Sequence, residues 1–140
     1  MTRRILVTGG TGFLGYRVLR SLADEGAEVT VLGLPGTDER LGALRSRVQW
    51  TPGDVWNPST LRGRARGQQV VIHLVGGLQQ DLKRGMTFRH LNVISTRNVA
   101  QMAVNQAGGV YQMEMRLSNS RAIANPWAAS ETWLAWSSHL

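Results

Sequence analysis

Cysteine is absent from all 140 residues, which removes disulfides, thiolate catalysis and thiolate-bound zinc together and leaves a cytoplasmic setting unopposed. Lysine is nearly absent: Lys83 stands alone beside fifteen arginines spread from Arg3 to Arg121. Long apolar runs are missing too. After Met1-Thr2-Arg3-Arg4 only three apolar residues precede Thr8-Gly9-Gly10, too few for a signal-peptide core or a membrane span. There are no internal repeats and no low-complexity tracts. What remains is ordinary globular material, 42% hydrophobic and 18% charged, which disfavours a disordered or fibrous chain. The length suits one domain and is short for a cofactor domain plus a substrate domain.

The net charge of +7 raises a nucleic-acid-binding alternative. Its densest cluster, Arg62-Gly63-Arg64-Ala65-Arg66-Gly67, has no interleaved aromatics for base stacking, so it reads first as a solvated loop or helix end. The same charge would attract the phosphates of a nucleotide.

Hydrophobic spacing lays out alternating strands and helices. Ile5-Leu6-Val7 reads as a strand, Phe13 to Ala23 as a helix through Leu14, Val18, Leu19 and Leu22, and Glu28 to Leu32 as a second strand, with Gly26 at the helix end. Arg40 to Arg47 is expected to form a short helix, Val48-Gln49-Trp50 a third strand, and Ser59 to cap a further helix start. Val70 to Val75 is nearly continuous in apolar residues, as a parallel strand covered on both faces should be. From Phe88 to Ala107 the pattern is helical, with Asn92, Thr96, Val99 and Ala103 on one face. Val110 to Leu117 alternates like a strand with one wet face. The order predicts an α/β fold: a Rossmann-type, doubly wound parallel sheet cut off after about five strands, with residues 1–117 as the nucleotide domain and 118–140 as a divergent tail.

Thr8-Gly9-Gly10-Thr11-Gly12-Phe13-Leu14-Gly15 carries the chemistry. It joins a strand to an amphipathic helix at the start of a βαβ unit. There Gly9 allows the tight turn, Gly12 lets a pyrophosphate approach the backbone, and Gly15 lets the helix pack closely. Unpaired N–H groups at the helix start, around Thr11, Phe13 and Leu14, then face the anion. At the end of the second strand, where an NAD site places Asp or Glu, stand Gly33, Leu34 and Pro35, with Arg40 further on. NAD and NADP both remain open.

These residues, with Gly53-Asp54-Val55, His73-Leu74-Val75-Gly76-Gly77 and Leu91-Asn92-Val93 followed by Thr96 and Asn98, resemble the extended and atypical short-chain dehydrogenase/reductases over residues 4–109. The His-Leu-Val-Gly-Gly and Asn-Val-x-Ser-Thr-Arg-Asn-Val-Ala stretches look most like the atypical branch that includes the nucleotide-binding accessory subunit of respiratory complex I. The resemblance implies that Asp54, with Val55, meets the adenine edge, that Val75 and Gly76 line the adenine-ribose side, and that Asn92 braces the fourth strand. On residue chemistry alone, Asp54 could simply turn the chain and His73 reads as a satisfied core histidine.

Catalytic members of such a family resemble one another in a Tyr-x-x-x-Lys pair with an upstream serine. Here Tyr16 and Tyr111 are the only tyrosines, neither is followed by Lys83, and Ser118 alone could stand for the serine. The expected role is therefore NAD(P) binding without catalysis by this chain alone: redox-linked, regulatory or assembly, or a truncated or frame-shifted fragment. The alternatives are an oxidoreductase or epimerase acting on a small molecule or nucleotide sugar with its missing half supplied elsewhere, and a basic nucleic-acid-binding module. An exposed sheet edge predicts a protein partner or self-association.

Overall fold

The computed structural model describes residues 2–77 and 79–106. Among the described residues four strands, β1 (Arg4–Thr8), β2 (Glu28–Gly33), β3 (Gln49–Pro52) and β4 (Val70–His73), form one sheet in the order β3-β2-β1-β4. Every pairing is parallel: Ile5 lies beside Val29 and Val70, and Val31 beside Trp50. The step from β3, on one side of β1 and β2, to β4, on the other side of β1, reverses the winding of the sheet beside β1. In open α/β sheets ligands bind outside the carboxyl ends of the strands at such a point.

Both faces are covered, as the apolar strands require. On one, α1 (Phe13–Asp24) supplies Leu19, and a 3₁₀ segment over Asp38–Ser46 supplies Leu41 and Leu44, against Ile5, Val7, Val29, Val31 and Ile72. On the other, α2 (Ser95–Gln106) supplies Val99, Met102 and Ala103, and Leu61 comes from a 3₁₀ turn at Pro58–Leu61, against Leu6, Leu32 and Val71. Gly26, at φ +78°, turns the chain out of α1 as expected.

Several local expectations shift. The 40–47 segment is 3₁₀ rather than α, β3 begins and ends later than Val48–Trp50, and β4 stops at His73. The turn at Pro58 is capped by the Asn57 carboxamide, which accepts the Ser59 N–H, so Ser59 is not the cap. The helix expected from Phe88 begins as a π turn, Arg89–Ile94. Its cause is local. The Ser95 hydroxyl donates to the Leu91 carbonyl at 2.6 Å, taking the acceptor that the Ser95 N–H would use in an α-helix, and that N–H reaches back to His90 instead. The buried stripe is consequently Ser95, Asn98, Val99, Met102 and Ala103, whereas Asn92 and Thr96 are only half-buried. The strand expected over 110–117, Ser118, and the tail 118–140 lie outside the described residues.

Candidate functional site: the cleft at the carboxyl ends of the strands

The glycine loop follows β1 and lies against the loop that follows β4. Gly9 has φ +75°, and a Cβ there would stand 2.7 Å from the carbonyl carbon of Leu74 and 2.8 Å from the Val75 nitrogen. Two strand ends thus meet at a glycine, and the Leu74 N–H donates to the Thr8 carbonyl at 3.0 Å. At Gly15 a Cβ would land on the Gly9 carbonyl oxygen, so the first turn of α1 sits directly on the loop. Gly10, which sequence reasoning passed over, is closed in by Leu19 and Val31 at 2.8 Å. Gly12 differs. Its φ of −80° suits any residue, and a Cβ would meet only the Gly9 oxygen at 3.3 Å.

The start of α1 is an open donor set. Gly12 is its N-cap without a side-chain acceptor, no acidic residue stands in the first turn, and the N–H groups of Phe13, Leu14 and Gly15 have no partner among the described residues. Thr11 and Leu14 are half-buried beside them, and the exposed Phe13 ring carries the Arg17 guanidinium 4.4 Å above it. This is a cradle for an anion that lacks any side-chain anion of its own, and it fits a pyrophosphate.

Asp54 leaves β3 in a tight turn. Its Oδ1 accepts the Trp56 N–H at 2.9 Å, and its carbonyl accepts from the Asn57 N–H at 2.9 Å and the Thr60 hydroxyl at 3.1 Å. The chain-turning reading is therefore correct for one carboxylate oxygen, while Oδ2 has no partner among the described residues. Val55 is buried in the second core layer and its carbonyl accepts from the Asn98 carboxamide at 2.9 Å, which leaves its N–H as the group able to meet a ligand. Val75 packs partly against the same layer, and Gly76 is exposed. Asn92 lies beneath them, its Oδ1 accepting the Gly77 N–H at 3.3 Å, and so braces the loop after β4.

Gly33 closes the cleft at β2. Trp50 stands beside Val31, and its ring leans along the sheet to cover Gly33 so closely that a Cβ there would strike the indole. A side chain at the end of β2 is thus excluded by the neighbouring strand. Under the loops, His73 is buried between Thr8, whose hydroxyl lies 2.6 Å from Nδ1, and Ser95, whose hydroxyl lies 3.4 Å from Nε2. Because the Ser95 hydroxyl donates to Leu91, it accepts from Nε2–H, and Nδ1 accepts from Thr8. Burial pushes the imidazole down to about 4. It is a satisfied core histidine. In the basic cluster, Arg64 turns inward to the Thr51 hydroxyl at 3.0 Å, and Arg62 and Arg66 are exposed around Gly63 and Gly67. Among the described residues no group of His, Asp and Glu could hold a metal ion.

A parallel sheet whose first strand turns through packed glycines into an uncapped helix start defines a Rossmann-type dinucleotide-binding domain. The chain belongs to the NAD-dependent epimerase/dehydratase family of short-chain dehydrogenase/reductases, whose profile matches residues 5–116. It is 30% identical over 128 residues to the ceramide reductase of Caulobacter vibrioides, covering 91% of this chain and 39% of the relative. With MIOREX complex component 2 of Saccharomyces cerevisiae it shares 27% over 86 residues, 58% of this chain and 31% of the other. The dTDP-glucose 4,6-dehydratase DesIV of Streptomyces venezuelae, solved with NAD bound, superposes with a TM-score of 0.64 at 29% identity, over 76% of this chain and 38% of that one. The chain thus spans well under half the length of these relatives.

Proposed function

We propose that this chain holds a nicotinamide dinucleotide and does no hydride chemistry by itself, in the manner of atypical short-chain dehydrogenase/reductases with a redox-linked, regulatory or assembly role. The observation that carries the reading is the glycine loop, where Gly9 and Gly15 are required by packing and Gly12, whose would-be Cβ meets only the Gly9 oxygen at 3.3 Å, stands before three unpaired N–H groups. The pyrophosphate lies on the N–H groups of Phe13 and Leu14, Asp54 Oδ2 and the Val55 N–H take the adenine edge, and Val75 and Gly76 line the ribose side. The cytoplasmic setting belongs to the same proposal. Non-catalysis rests on the sequence, in which neither tyrosine is followed by Lys83 at the spacing a Tyr-x-x-x-Lys pair needs. An assembly role has support in the relative named for a complex. The reductase relative favours a second reading, an oxidoreductase completed by residues supplied elsewhere; turnover on addition of a substrate would select it.

Because β2 ends at Gly33 beneath Trp50, no carboxylate stands there to repel a 2′-phosphate, and NADPH should bind at least as tightly as NADH. A thermal titration tests both statements. At a hundred times Kd the ligand should stabilise the fold by about 2.7 kcal/mol, a rise of about 10 °C. Gly12→Arg, whose backbone angle accepts a side chain, should still melt cooperatively and lose the rise. A wild type that folds and shows no shift with either nucleotide would refute the binding reading.

A protein partner or a second copy is the other proposal. β4 pairs only with β1 among the described residues, and Leu82, Phe88, Val93 and Val104 are exposed. Sedimentation across micromolar concentrations should show self-association; a monomer throughout would remove the second-copy reading.

A further inference from the structure

We infer that Trp56 is a positioning residue for the adenine side of the groove, fixing Asp54 against the π turn before α2. The inference rests on the dinucleotide reading above. Trp56 makes two hydrogen bonds of different kinds: its backbone N–H holds Asp54 Oδ1 at 2.9 Å, and its indole Nε1–H donates to the His90 carbonyl at 2.9 Å. The first selects the Asp54 rotamer that leaves Oδ2 unpartnered. The second joins the loop after β3 to the π turn, whose His90 carbonyl also accepts the Ser95 N–H. The same turn carries Asn92, which holds Gly77 on the opposite wall of the groove at 3.3 Å. Trp56 therefore holds the Asp54 wall of the groove against the turn that braces the opposite wall.

Asn98 ties the loop after β3 to α2 independently, through the Val55 carbonyl at 2.9 Å. Loss of the indole donor should accordingly loosen the loop without unfolding it. Trp56→Phe removes that donor and keeps an aromatic ring where Trp56 packs against the second core layer.

The test is calorimetric binding of ADP-ribose and of inorganic pyrophosphate to the full chain, for the wild type, Trp56→Phe, Asp54→Asn and the double variant. ADP-ribose should bind about three- to tenfold more weakly to Trp56→Phe, the loss expected for one hydrogen bond. Pyrophosphate binding should not change, and the double variant should bind ADP-ribose no worse than Asp54→Asn alone, because Trp56 acts through Asp54. Equal loss for both ligands, or penalties that multiply in the double variant, would overturn the inference and leave the cofactor reading standing. A wild type that binds neither ADP-ribose nor NAD(P)H would remove both.

Discussion

Gly15→Ala should lower the stability of the domain by about 3 kcal/mol, the upper range for forcing atoms into a packed site. The new methyl group would land on the Gly9 carbonyl oxygen, 2.7 Å from Gly10 Cα and 2.8 Å from the Gly9 carbonyl carbon. These are backbone atoms, and Gly9 is itself wedged against Leu74 and Val75, so no flexible side chain can yield. With a urea slope of about 2 kcal/mol/M the midpoint should fall by about 1.5 M. Two other glycines set the scale. Gly26, at φ +78° with nothing within 4 Å of its would-be Cβ, should cost only about 1 kcal/mol on substitution by alanine. Gly12→Ala should cost far less than Gly15→Ala, because its Cβ would meet the Gly9 oxygen at 3.3 Å rather than land on it. Dinucleotide binding should fall with Gly15→Ala as well, since the α1 donors are aimed by the contact it breaks. A Gly15→Ala midpoint equal to that of the wild type would show that the helix does not rest on the loop.

His73 should make the fold acid-sensitive. Its imidazole titrates at about 4 when folded, against the ordinary 6.5. Between these values the unfolded chain binds a proton that the folded one refuses, so the contribution is complete above pH 6.5 and declines as pH falls towards 4. The lost stabilisation is about 3 kcal/mol, from 1.36 kcal/mol per pH unit over the gap. Protonating Nδ1 also removes the acceptor that the buried Thr8 hydroxyl uses, which separates the ends of β1 and β4 directly beneath the cleft. His73→Gln should be less stable than the wild type at pH 7.5, because the Thr8–Ser95 chain is broken. Its deficit should shrink through pH 6 and 5, where the wild type loses its own advantage. Urea midpoints of both proteins across that range isolate His73, since His90 and the carboxylates are common to the two. A deficit that stays constant with pH would show that His73 is not held neutral by burial.

The strand–glycine–helix start and the strand that begins at Val70 were legible in the sequence because each depends on near neighbours. Apolar period, glycine spacing and a parallel strand's two covered faces are properties of short segments. The family resemblance was legible for the same reason, its motifs being contiguous. The 3₁₀ form of residues 38–46 and the π turn at 89–94 were not, because hydroxyl and carbonyl groups compete there over single acceptors, and hydrophobic spacing does not register that contest. On the same account the face of α2 was read only in part: Val99 and Ala103 are buried, whereas Asn92 and Thr96 are half-buried. Ser95 and Asn98 are polar, yet they lie inward because His73, Leu91 and the Val55 carbonyl take their hydrogen bonds.

What the sequence determined alone was the fold class, the family and the strand–glycine–helix start. Only the tertiary structure decided that Trp50 covers Gly33, that the Trp56 N–H holds Asp54 and its indole reaches His90, and that Gly10 is closed in by Leu19 and Val31. Those facts depend on which residues the strand register and the loops bring together across the sheet, and such contacts leave no periodic trace in the chain.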